Sequence, residues 1–137
     1  MWWTYALLSA TFAALTAIFA KIGIKNVNSD LATAIRTLVI LVLAWGIVVF
    51  KKELGGIGSL TKQNVIFLVL SGVATGLSWI FYFKALQIGK VSQVAPVDKL
   101  SVALAILLSV LFLGEVLTLK IAAGAALIIA GTIVLIL

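Results

Sequence analysis

The sequence contains no cysteine and no histidine. That excludes disulfides, thiol nucleophiles, cysteine–histidine zinc sites and imidazole acid–base chemistry. Acidic residues are scarce as well: Asp30, Glu53, Asp98 and Glu115 are the only four in 137 residues. They are scattered, so one chain offers no carboxylate cluster for a metal, and neither a metal nor another cofactor is expected. No acid–base pair is evident, which argues against an enzyme. Charged residues make up 10% of the chain, whereas a soluble domain usually carries about a quarter. So little polar surface cannot cover a water-soluble core. The basic start of a signal peptide is also missing: Met1-Trp2-Trp3-Thr4-Tyr5 places aromatics where a bilayer interface favours them, and the first helix is expected to be retained.

What is present is apolar. Hydrophobic residues account for 64% of the chain, and a bilayer lets such side chains face outward. Crossing a ~30 Å hydrocarbon layer takes about 20 residues as a helix. Five runs meet that length, at about residues 2–21, 31–50, 64–83, 92–113 and 117–137. Lys21 and Lys25 close the first run, and Ser29 or Asp30 is placed to cap the second. Residues 84–90 read as a basic turn, and Gly114-Glu115 breaks the chain before the last run. The connections are too short for a soluble domain, so consecutive helices should lie antiparallel and adjacent. The expectation is an all-α, multi-pass protein of the cell (inner) membrane, with residues 1–137 as a single domain.

The net charge of +6 does not point to nucleic acid. The ten basic residues are spread between the apolar runs, as interfacial anchors are. The glycines at 55, 56 and 58 precede Lys62 without the spacing of a phosphate loop. Because successive helices cross in alternate directions, Lys51, Lys52, Lys62 and Lys120 share one side, and Lys21, Lys25, Lys84 and Lys90 share the other, with Arg36 and Lys99 deeper in. Four lysines face four, so the positive-inside bias nearly vanishes. Insertion in both orientations accounts for the balance. A single orientation fixed by the first helix or by a cellular partner is the alternative.

Three groups of residues stand out within the runs. In the third, Ser71, Thr75, Ser78, Trp79 and Tyr82 recur at intervals of three and four, which puts them on one helical face. They suit either a packing face or the wall of a polar cavity, with Trp79 and Tyr82 touching a substrate. In the fourth, Asp98 and Lys99 lie about two turns from Ser92, and Asp98 shares a face with Val94, Ser101, Ala105 and Ser109. Lysine can snorkel to the interface but aspartate is too short, so Asp98 is a candidate cavity residue. Pro96 has no N–H, so a carbonyl near Ser92 is expected to lose its partner and present its dipole. Arg36 in the second run either snorkels to the headgroups or faces the cavity and favours an anionic group. In the fifth run Gly124 and Gly131 stand seven residues apart, flanked by Ala123, Ala126 and Ala130. That face permits close helix approach, within the chain or with a second subunit.

These residues together resemble one half of a drug/metabolite transporter of the EamA type, in its stand-alone five-helix form. The likeness covers nearly the whole chain. It is most specific at Val94-Ala95-Pro96-Val97-Asp98-Lys99-Leu100-Ser101, at Leu111-Phe112-Leu113-Gly114-Glu115 and from Gly124 to Gly131. Lys21, Arg36 and Tyr82-Phe83-Lys84-Ala85-Leu86 also match. The resemblance implies a transporter of small solutes, in a family whose cargoes include amino acids, sugar phosphates, nucleotide sugars and drugs. Longer members join two five-helix halves in inverted orientation, so a lone half implies an antiparallel homodimer.

The small multidrug resistance proteins look like four-helix relatives that dimerise through glycines at the same spacing, which would make Gly124 and Gly131 a dimer seam. Those relatives carry a membrane-embedded glutamate in their first helix, whereas residues 2–21 here hold no acid. That proton chemistry does not transfer. If a coupling ion is used, Asp98 is the only acid inside a span. The expected substrate-binding set is Asp98, Lys99, Ser101, Ser71, Thr75, Trp79, Tyr82 and Arg36, and the excess of basic residues favours a neutral, zwitterionic or anionic cargo over a permanent cation. The alternative is a non-transporting scaffold or accessory subunit of a larger membrane complex.

Overall fold

No water reaches the backbone in hydrocarbon, so an apolar run has to satisfy its own N–H and C=O groups, and the helix is the single-segment way to do so. In the computed structural model, which describes residues 1–137, the five runs are helical, the fourth with an interruption at Lys99. They form α1 (Trp2–Gly23), α2 (Ser29–Phe50), α3 (Lys62–Ile88), the pair α4 (Val91–Asp98) and α5 (Leu100–Leu113), and α6 (Leu119–Ile136). A 3₁₀ segment, Glu53–Ser59, lies between α2 and α3. Taking α4 and α5 as one interrupted span, five segments are long and apolar enough to cross a membrane.

The helix ends follow from a few polar side chains. Asn28 caps α2: its side-chain oxygen accepts from the Asp30 N–H at 2.8 Å and the Leu31 N–H at 3.2 Å. The sequence pointed to Ser29 or Asp30 instead. The cap falls one residue earlier because Asn28 has the extended backbone an N-cap requires. Asp30 then sits in the first turn, where its charge complements the helix dipole. Thr61 accepts from the Asn64 N–H and pairs with the Asn64 side chain. Thr118 accepts from the Ile121 N–H, so α6 begins at Leu119 rather than near 117. Gly114 stands at φ +69°, a left-handed conformation that glycine adopts without strain. There the N–H groups of Gly114 and Glu115 both turn back to the Ser109 carbonyl.

Residues 84–88 differ from expectation. The sequence places them in a turn, yet α3 runs on to Ile88. The physical reason is burial: Phe83 and Leu86, one turn apart, are 2% and 0% exposed, and the helix continues to keep both inside.

The chain divides into two compact units, residues 20–87 and residues 1–19 with 88–137. In the first, Ile24, Ser29, Thr33, Phe83 and Leu86 are buried, around the α1–α2 connection and the end of α3. Two long-range bonds hold that end: Lys21 Nζ donates to the Leu86 carbonyl at 2.5 Å, and Gln87 Nε2 donates to the Val27 carbonyl at 2.7 Å. Buried Thr33 satisfies its hydroxyl on the Ser29 carbonyl at 2.8 Å. In the second unit α6 packs along α4 and α5, and Thr132 is its buried polar residue. Most leucine, isoleucine, valine and phenylalanine side chains lie on the outside, where lipid replaces a core.

Candidate functional site

The polar residues of the spans fall into two groups, one in each unit. In the 20–87 unit the organising residue is Arg36. It lies seven residues into α2 from Ser29, about 10 Å along the axis at 1.5 Å per residue. Its guanidinium carbon is 4.6 Å from the ring centroid of Trp79 and 4.8 Å from that of Phe83. These two rings stand four residues apart on α3, on one helical face. Tyr82 meets the Phe83 ring edge-on, at 6.1 Å and 81°. Arg36, Trp79 and Tyr82 are all half-buried.

Of the α3 residues expected at the site, Trp79 is brought to Arg36. Ser71 and Thr75 lie farther along α3, exposed, with the Thr75 hydroxyl donated to the Ser71 carbonyl at 2.9 Å. Thr75 therefore spends its proton inside its own helix. Phe83 was not among the expected site residues. Its signal was present in the four-residue spacing from Trp79, but an apolar ring in an apolar run carries no mark of contact with a cation.

In the other unit the site lies at the interruption between α4 and α5. Lys99 Nζ pairs with Asp98 Oδ2 at 3.1 Å, with the Asp98 side chain 33% exposed and that of Lys99 58%. Pairing reduces the net charge carried into the span, and charge there is expensive. Lys99 stands between the helices at φ −71° and ψ −9°, its N–H shared among the carbonyls of Ala95, Pro96 and Val97. The break thus falls three residues after Pro96, and not at Ser92 where the missing N–H suggested it. At the Pro96 carbonyl, which already accepts from the Lys99 N–H, α6 supplies a second donor: the Thr132 hydroxyl lies 3.2 Å from it and 2.8 Å from its own-helix partner, the Ile128 carbonyl. Ser101 is the second residue of α5, exposed, in the first turn after the break. Thr132 was missed by sequence reasoning, since a lone threonine in an apolar helix ordinarily bonds only to its own backbone.

Gly124 and Gly131 are exposed, and a Cβ built on either would meet nothing within 4 Å. Within α6 the less exposed positions are Ala122, Ala125, Ile128 and Thr132, on a face turned about a quarter of the circumference from the glycines at 100° per residue. No group of three or more metal-ligating side chains forms.

Comparison with known proteins bears on this arrangement as a whole. The EamA-like transporter family matches residues 1–137. The chain is 48% identical over 134 residues to a Sinorhizobium protein described as an uncharacterized transporter in the cobO 3′ region, covering 98% of this chain and 95% of that one. It is 32% identical over 130 residues to an uncharacterized protein of Methanocaldococcus jannaschii, covering 94% of this chain and 91% of the relative. No solved structure gives a significant match.

Proposed function

The chain belongs to the EamA-like transporter family, and on that premise we propose that it carries a small solute across the cytoplasmic membrane by alternating access, as an inverted homodimer. The observation that carries this reading is the odd number of candidate spans, five. A duplicated copy of an odd-span unit can restore an inverted pair only if the second copy enters the membrane the other way round. The even division of the eight lysines other than Lys99, four towards each end of the helices, supports entry in both orientations. The two relatives, matched over nearly all of their own length, likewise have room for about five spans of ~20 residues.

In this reading Asp98, Lys99, Ser101, Ser71, Thr75, Trp79, Tyr82 and Arg36 line the cargo path, each supplied twice. Their position on few elements supports it, α2 and α3 in one unit and the α4–α5 break in the other, because polar groups in hydrocarbon are tolerated where they face a cavity or one another. The backbone interruption at Lys99 belongs to the same picture, since non-helical backbone at membrane depth lines cavities. Asp98 is the one carboxylate in the interior of the spans, Asp30 lying in the first turn of α2, and in this reading it binds a coupling ion. Gly124 and Gly131 form the seam between copies.

The test is single cysteines in the segment 51–61, labelled with a membrane-impermeant reagent in sealed vesicles. The expected result is labelling from both faces, together with solute uptake in reconstituted vesicles that falls in Asp98→Asn. Labelling from one face removes the inverted dimer. Absence of uptake across a broad solute panel would favour an accessory-subunit role.

A further inference from the structure

We infer that the cargo carries an anionic group, a carboxylate or a phosphate, received edge-on by Arg36 while Trp79 and Phe83 hold the guanidinium. This deepens the transport reading and rests on it. Arg36 is a full charge within a candidate span, and the only ion pair in the structure is Lys99 with Asp98. No carboxylate neutralises it. Two aromatic rings do part of that work through their negative faces, at 4.6 and 4.8 Å, and aromatic rings attract a cation without accepting its N–H bonds in the plane. The five N–H donors of a guanidinium lie in a planar fork, and no buried side-chain nitrogen or oxygen is left unpartnered. The fork is therefore accessible at its rim.

The nearby hydroxyls of α2 do not compete for this role. Thr33 and Thr37 donate to the carbonyls of Ser29 and Thr33, each at 2.8 Å. What remains at Arg36 is a cation held by its flat surroundings, with its bidentate edge unspent. That edge matches the geometry of carboxylate and phosphate. A lysine would not serve equally, because stacking and the fork both require the planar group.

The same chemistry could be offered by a lipid headgroup, so the test separates the sources. The full chain is prepared with Trp2, Trp3 and Trp45 replaced by phenylalanine, leaving Trp79 as the fluorophore, in maltoside micelles that contain no phosphate. Iodide, an anionic quencher, should quench Trp79 several-fold more strongly than caesium. Arg36→Gln should erase the difference and Arg36→Lys should keep part of it, with helicity by circular dichroism unchanged in both. Excess acetate or inorganic phosphate should protect Trp79 from iodide.

Equal quenching by the two ions, or an asymmetry that survives Arg36→Gln, overturns the anion site. Protection by added phosphatidylglycerol but by neither soluble anion assigns the site to lipid and overturns the cargo assignment. Vesicle uptake separates this inference from the transport reading. Uptake of a carboxylate or phosphate compound that falls roughly tenfold or more in Arg36→Gln, the worth of a hydrogen bond to a charged group, supports both. Uptake confined to cations, or indifferent to Arg36, leaves transport standing and overturns the anion assignment.

Discussion

The hydroxyl of Thr132 in α6 lies 3.2 Å from the carbonyl oxygen of Pro96 in α4, across 36 residues of sequence. It joins the last helix to the point where the fourth span loses its regular hydrogen bonding. Thr132→Val keeps the shape and removes the proton. It should lower stability by about 0.6 kcal/mol and by no more than ~1.7 kcal/mol, the range for interhelical hydrogen bonds in membranes. Thr132→Ser should retain most of it. Denaturation in mixed micelles, followed by circular dichroism, checks the difference.

Lys21 and Gln87 tie the α1–α2 connection to the end of α3. A cation on the last carbonyls of a helix also complements its dipole. Lys21→Met should cost about 1.5–3 kcal/mol, the value of a hydrogen bond from a charged donor. The loss should be local. Hydrogen exchange should rise across residues 83–88 and stay unchanged in α6, and an equal rise in both would contradict the assignment.

Arg36 and Trp79 should be energetically coupled. In a double-mutant cycle with Arg36→Met and Trp79→Leu, the expected coupling is about 0.5–2 kcal/mol, as for a partly desolvated cation–π pair. Strict additivity of the two substitutions would show that the stacking contributes nothing to stability.

Gly131 offers a clean separation of folding from association. A Cβ there meets nothing within 4 Å in its own chain. Gly131→Leu should therefore leave helicity and monomer stability intact while abolishing cross-linking between copies. Cross-linking at the wild-type level would take α6 out of the seam. Gly114, at φ +69°, should behave oppositely: Gly114→Ala strains the backbone and should destabilise the chain by about 1 kcal/mol or more.

Composition and run length determined the number and type of the spans, because hydrocarbon permits an isolated apolar segment little except the helix. The candidate polar residues were also legible, since a charge or a proline inside an apolar run stands out: Arg36, Pro96, Asp98 and Lys99 were all apparent. The motifs around them carried the family. The partners of those residues were not legible. That Arg36 stacks on both Trp79 and Phe83 depends on how α2 and α3 pack, and an apolar ring looks the same in sequence whether it meets lipid or a cation. The position of the break, at Lys99 and not near Ser92, was decided by hydrogen-bond geometry downstream of Pro96. The extension of α3 to Ile88 was decided by burial of Phe83 and Leu86, which outweighed the local polarity of Lys84 and Gln87. Local chemistry wrote the helices, and long-range packing chose which of their side chains meet.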